Sequence, residues 1–195
     1  MQEFKGLLKL ESTYQLSDEL FDILINSMEE LDLNTYDVLV RNGSVDANIY
    51  FVKEGILREY YFNAGEEVTR GFALPGTMMI SWHSYYYRKP AFFQVGACCK
   101  SKVLKLSKRQ FDKMIADHHE FSKWLISMLQ CQLYYYEMKQ AVIKGDAKSR
   151  FISLVMNRKE IIQKVPLKLI ASYLGITQAY LSRLRKQVAT GKIHF

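Results

Sequence analysis

LKLIASYLGITQAYLSRLRK, residues 167–186, reads as two short helices crossed over a turn. Apolar residues fall at Ile170, Leu174, Ile176, Leu181 and Leu184, where two crossed helices must bury side chains between them. Ala171 stands where the helices approach most closely and a larger side chain would push them apart. Gly175 supplies the permissive backbone of the turn, and Thr177 can take a free backbone N–H as the N-cap of the second helix. With the apolar set buried, the second helix turns Gln178, Ala179, Ser182, Arg183 and Lys186 outward. That face is small, polar and basic, without an acid. Gln and Arg suit base edges in a major groove, and Ser and Lys suit phosphates. Any amphipathic pair shows two-helix periodicity, but here seven positions agree with one helix–turn–helix template, the Ala and the Gly included.

The charge distribution points the same way. Residues 139–195 carry twelve Lys+Arg against two Asp+Glu, a net +10. Residues 1–138 carry fifteen against eighteen, a net −3. A basic end on a slightly acidic body implies a polyanionic partner for the C-terminal part alone.

At 195 residues and 49% hydrophobic, the chain can bury a core of one large or two small domains. No apolar run reaches the roughly 18–20 residues of a membrane span, and no signal-peptide pattern precedes Leu7. The three cysteines, two of them adjacent (Cys98, Cys99), fit neither a disulfide framework nor a metal knuckle. These features imply a cytoplasmic protein without a membrane partner.

Upstream of the opening motif, residues 17–31 (SDELFDILINSMEEL) predict a helix capped by Ser17, with Leu20, Phe21, Leu24, Ile25, Met28 and Leu31 as its buried stripe. From Leu33 to Leu106 the period is two: Ile56, Arg58, Tyr60 and Phe62 alternate with Leu57, Glu59 and Tyr61. Turns are marked at Asn42-Gly43, Lys53-Glu54-Gly55, Asn63-Ala64-Gly65 and Leu74-Pro75-Gly76. Short strands at this spacing predict an antiparallel roll or barrel, hence an α+β fold.

The helical period returns at Ser107, a cap for Phe111, Met114 and Ile115. Then Phe121, Trp124, Met128, Cys131, Tyr135, Met138 and Val142 recur at intervals of 3 and 4, a heptad seam, with Leu125, Leu129, Leu133 and Tyr136 on the neighbouring flank. One side is expected to pack on its own roll and the other, the seam, to meet the same helix of a second chain. Burial within a monomer is the alternative. Cys131 on that seam is either a small buried hydrophobe or a site of oxidative crosslinking.

Lys144-Gly145-Asp146 marks the domain boundary, giving units at 1–118, 119–143 and 144–195. Asp146 caps a helix with core residues Phe151, Leu154 and Val155, and Val165-Pro166 closes the connector before the opening motif. Thr190-Gly191-Lys192 reads as the tip of a β-wing ending at Phe195 or as a frayed tail. No Ser/His/Asp or Cys/His pattern, H-E-x-x-H or phosphate loop is present, so an enzyme is not expected; His118-His119 point apart on a helix and make a poor metal site.

Helix, β-roll with a glycine-marked hairpin, long helix, helix–turn–helix: this order resembles the cyclic-AMP receptor / fumarate-nitrate regulator (Crp/Fnr) transcription factors. The resemblance is carried by Ile49-Tyr50-Phe51-Val52-Lys53-Glu54-Gly55-Ile56-Leu57-Arg58, by Leu74-Pro75-Gly76, and above all by Leu174-Gly175-Ile176-Thr177 through Leu181-Ser182-Arg183, which looks like the branch common in Bacteroidetes. It implies a cupin-like, cyclic-nucleotide-binding-type roll, a dimerisation helix and a winged helix–turn–helix. Gln178 and Arg183 would read bases beside Ser182 and Ala179. Thr177 and Lys186 would touch the DNA backbone, as would Lys168, Tyr180, Arg185 and Lys192. Partners implied are double-stranded DNA with a pseudo-palindromic operator, a second copy of the chain, and RNA polymerase. A sensor or interaction module whose helix–turn–helix contacts protein is the alternative.

The ligand half departs from the family pattern. Counting back from the following strand puts Ala91-Phe92 where cyclic-nucleotide binders carry Arg-Ser, and no Gly-Glu precedes Ser84. Cyclic AMP is therefore not expected, with Arg88 and Lys89 as the displaced substitutes to weigh. Four clustered thiolates for an iron–sulfur centre are missing, and His83 reads as structural rather than as a haem ligand. Trp82, Tyr85, Tyr86, Tyr87, Phe92 and Phe93 either line an apolar pocket for an unknown effector or form roll core and rim.

Overall fold

The computed structural model describes residues 2–143 and 145–191, with the backbone alone for 139–143. Two helices lead the chain, α1 (Gln2–Leu10) and α2 (Asp18–Asn26). Strands β1 (Glu29–Leu33), β2 (Val38–Val40), β3 (Ile49–Glu54), β4 (Leu57–Asn63), β5 (Glu66–Ala73) and β6 (Met78–Ile80) follow. A short helix α3 (Trp82–Tyr87) precedes β7 (Gln94–Ala97) and β8 (Ser101–Leu106). The rest is helical: α4 (Lys108–Asp117), α5 (His119–Ile143), α6 (Ala147–Asn157), α7 (Lys159–Lys164), α8 (Leu167–Leu174) and α9 (Gln178–Ala189).

The strands form two four-stranded antiparallel sheets, ordered β1-β8-β3-β6 and β2-β7-β4-β5. Three apolar clusters hold them. Val40, Tyr50, Val52, Leu57, Val95 and Val103 fill the space between the sheets. Ile49, Phe51, Leu104 and Leu106 point the other way, under a helical cover made by Phe21, Leu24, Phe111, Phe121 and Trp124. The third cluster joins Ile56, Cys98 and Phe72 of the roll to Phe151, Ile161, Ile170, Leu181 and Leu184. Ile49-Tyr50-Phe51-Val52 is accordingly buried at every position, because β3 has a core on both faces.

The hairpins carry their turn chemistry. At Gly55 φ is +84°, and a Cβ there would lie 2.6 Å from the Lys100 carbonyl oxygen, so both backbone conformation and space exclude other residues. Ser107 and Gln110 form a reciprocal capping box at the start of α4. Ser17 and Asp146 cap α2 and α6 through the N–H groups of Leu20 and Ser149.

Four features differ from the sequence expectation. The helix from Ser17 stops at Asn26, where the Ser27 N–H bonds back to Leu24, and Glu29–Leu33 pairs with β8 as a strand. Leu31 fits a helical stripe with Met28 and an alternating strand with Leu33, and the open edge of β8 decides between them. Residues 2–10 form a helix that packs Phe4 and Leu8 into the helical cover. Trp82–Tyr87, read as roll, is helical. The connector before Pro166 contains α7.

The seam of α5 also divides. Phe121, Trp124 and Met128 lie in the chain's own core, Trp124 stacked on Phe51 with ring centroids 6.1 Å apart. They do not face a second chain. Large aromatic residues at this spacing satisfy the roll surface first, because that surface is tethered beside them. Cys131 is half-buried, Tyr135 and Met138 are exposed, and the Val142 side chain lies outside the described residues. The flank at Ile126, Leu133 and Tyr136, with half-buried Leu129 between, is the apolar face left open.

Candidate nucleic-acid interface

Pro166 opens α8 with φ −54°, and Leu169, Ile170, Ala171 and Leu174 form its buried side. Gly175 ends it in the left-handed region at φ +63°, which lets the N–H groups of Gly175 and Ile176 reach the carbonyls of Ser172 and Ala171 at 3.2 and 3.0 Å. The Arg150 guanidinium donates to a further end carbonyl, Leu174 O, at 2.8 Å. The chain re-enters a helix at Thr177, whose hydroxyl oxygen accepts from the Tyr180 N–H at 3.2 Å. Leu181 and Leu184 then seat α9 on Ile170 and Leu174 within one cluster.

With that side fixed, Gln178, Ala179, Ser182, Arg183 and Lys186 are all exposed, along with Arg185. The helix contains no acid. Tyr180 is half-buried, and the Arg183 guanidinium carbon stands 5.4 Å from its ring centroid, an orientation that steers the arginine along the helix surface. Thr177 and Lys168 are exposed at the ends of the pair. Lys192 and the expected wing lie outside the described residues.

The helical pair is anchored to the roll at the free edge of the second sheet. Ser172 Oγ accepts from the Thr69 N–H and donates to the Glu67 carbonyl, each at 2.9 Å, so one side chain serves two edge groups of β5. Beneath it, Arg58 is 4% exposed, ion-paired to Glu67, within 3.3 Å of Thr69 Oγ1, and 3.7 Å over the Tyr60 ring. A buried guanidinium needs such partners, since it cannot shed its charge. Ile56, just before β4, belongs to the same cluster as Leu181 and Leu184 of α9.

Between the roll and α5 lies a chamber of about 620 Å³. Trp82 and Phe92 line it; Phe93, His83, Leu129 and Leu133 do so as well. Tyr85, Arg88 and Lys89 do not. The Tyr85 ring is buried in the helical cover with its hydroxyl donating to Asp112 at 2.9 Å, and Arg88 and Lys89 are exposed where α3 ends. The unforeseen helix accounts for this, because it swings residues 85, 88 and 89 off the line an extended strand would give them. The arginine at the chamber is Arg70, 2.9 Å from Glu59 and 4.3 Å over the Phe93 ring. A cyclic phosphate reaching it would meet the Glu59 carboxylate as well. Arg70 was not singled out from sequence, where it is one more residue of an alternating strand.

Among the described residues no group of three or more His, Cys, Asp or Glu side chains gathers as a metal site, and no helix is long and apolar enough to cross a membrane.

No family model matches the sequence, and no curated protein does. Solved structures do. FixK2 from Bradyrhizobium japonicum superposes with a TM-score of 0.72 at 17% identity, over 86% of this chain and 88% of that one. The c-di-GMP responsive global regulator CLP from Xanthomonas campestris gives 0.71 at 12%, over 92% and 95%. The Thermus thermophilus catabolite activator protein gives 0.57 at 14%, over 97% and 90%. The chain has the fold of Crp/Fnr-type regulators with their cyclic-nucleotide-binding-type roll.

Proposed function

We propose that this protein is a homodimeric, sequence-specific DNA-binding transcription regulator of the Crp/Fnr type that does not respond to cyclic AMP. The observation that carries this reading is the acid-free exposed face of α9, held by Leu181 and Leu184 on a fold shared with such regulators. In this reading α8 and α9 are the helix–turn–helix of a unit at 144–195, following a roll at 1–118 and a dimerisation helix at 119–143. Gln178 and Arg183 read base edges beside Ala179 and Ser182. Thr177, Lys168, Tyr180, Arg185 and Lys186 hold the sugar–phosphate backbone.

The partner chain covers the apolar flank of α5 around Ile126, Leu133 and Tyr136. A two-fold axis there presents two copies of α9 to successive major grooves, roughly 34–36 Å apart, and so requires a pseudo-palindromic site. The Arg70–Glu59 pair in the roll chamber supports the loss of cyclic-nucleotide binding. The protein acts in the cytoplasm, where RNA polymerase is its further partner.

Selection of bound duplexes from random oligonucleotides tests the reading. A two-fold-symmetric consensus whose affinity falls steeply with salt is expected, because phosphate contacts release counterions. Absence of any salt-dependent duplex binding would leave the helical pair as a protein-contact module instead.

A further inference from the structure

A second cavity, of about 550 Å³, opens where the C-terminal half of α5, helices α6 to α8 and the start of the β5–β6 connection meet. Its size suits a small organic ligand. Two walls are aromatic: Phe72 and Tyr173 have ring centroids 5.1 Å apart, and Tyr134 and Tyr135 5.8 Å. Two arginines reach it, and they differ. Arg150 is engaged by the carbonyls of Gly145 and Leu174 at 2.9 and 2.8 Å. Arg158 has its guanidinium carbon 5.5 Å over the Tyr135 ring, and among the described residues no carboxylate stands within ion-pair distance of it.

Arg158 nevertheless acts on three neighbours. It lowers the proton affinity of Glu11 and Tyr173 against the burial that raises it, and that of Tyr135 against the Glu11 charge first and burial second. Glu11 makes no ion pair with it, and burial pushes the Glu11 carboxyl up. A half-buried guanidinium facing flat apolar walls without an acid of its own asks for a ligand with one anionic head and a planar apolar body.

We infer that this junction is a binding site for small arylalkyl carboxylates, with Arg158 pairing the carboxylate and Phe72, Tyr173 and Tyr134 enclosing the ring. The site adjoins the roll chamber across Gly71 and Phe72, shares no residue with the outward face of α9, and touches α5, α6, α8 and β5 at once. Occupancy therefore ties the long helix to the helical pair.

Ligand-observed NMR on the full-length protein with 3-(indol-3-yl)propanoate and its uncharged carboxamide tests this. The carboxylate is expected to bind at least about tenfold tighter than the amide, the difference a charge-assisted pair contributes. Arg158→Gln should reduce the carboxylate to the amide's level, Arg158→Lys should restore part, and Ser153→Phe should block both by filling space. Phe93→Trp, which fills the roll chamber instead, should change neither. Circular dichroism and thermal melts establish that each variant is folded. Equal binding of the two compounds, no binding of either, or an unchanged affinity in folded Arg158→Gln would overturn the inference. The readout contains no DNA, so its outcome is independent of whether α9 reads bases.

Discussion

Ser172 and Thr69, 103 residues apart in the chain, meet in a 2.9 Å hydrogen bond that closes the edge of the roll with a side chain of α8. The same hydroxyl donates to Glu67 O, so the helix stands in for the strand that β5 lacks. Ser172→Ala should leave an N–H and a carbonyl without their partner at a half-buried seam, costing about 1–3 kcal/mol. Amide exchange should quicken in α8, α9 and β5 while β3 and β8 keep their protection. Unchanged exchange across all five would show that the edge contact contributes nothing.

The assignment of α9 separates two kinds of contact. Arg183→Ala should cost about 1–3 kcal/mol on the preferred duplex and flatten the preference at one base position. Lys186→Ala should weaken all duplexes alike and lower the salt slope by about 1. Fluorescence anisotropy across operator variants and salt concentrations distinguishes them, and identical behaviour of the two variants would refute the roles.

The two flanks of α5 should respond differently to substitution. Leu133→Glu, on the open face, should yield a folded monomer in sedimentation equilibrium. Trp124→Ala, inside the helical cover, should instead cost about 3–5 kcal/mol in urea unfolding through the cavity it leaves. A dimer that survives Leu133→Glu would place the interface elsewhere.

Gly55 should be the least replaceable glycine of the roll. Gly55→Ala brings left-handed strain of about 1–3 kcal/mol, plus the close approach to Lys100 O at 2.6 Å. Gly175→Ala meets no neighbouring atom and should cost only about 1 kcal/mol. Chemical denaturation of both variants checks the order.

Burial pushes the Cys98 thiol up to about 12 from 9.0. The folded state thus holds this proton more tightly than the unfolded chain does. The resulting stabilisation is complete below pH 9 and is lost as pH rises toward 12. Iodoacetamide at pH 8.5 should label half-buried Cys99 and Cys131 and spare Cys98. Rapid labelling of Cys98 in the native protein would contradict its burial.

The helical pair was the most legible part of the sequence because its constraints are local: Gly175, Thr177 and the 3.6-residue period act within twenty residues. The caps at Ser17, Ser107 and Asp146 were legible for the same reason. What escaped depends on distant partners. Glu29–Leu33 is a strand because β8 offers it an edge, and nothing within 17–31 carries that information. The α5 seam follows a sound heptad, but periodicity gives a face without saying which surface covers it. Arg58 reads as an outward residue of an alternating strand until β4 acquires a second cover. Arg158 gave no sequence signal, since its role comes from walls contributed by three segments.

Leu57 faces the roll interior and Arg58 the opposite side, beneath Ser172 and the helical pair, and only one peptide unit separates them. No spacer layer separates the core between the sheets from the C-terminal helical pair at this point; a single strand is the partition between them. Whatever strains that partition from within is felt outside at the scale of the displacement itself, without a lever to enlarge it. The same thinness restricts how this strand can drift over generations, because each exchange must suit two rooms at once.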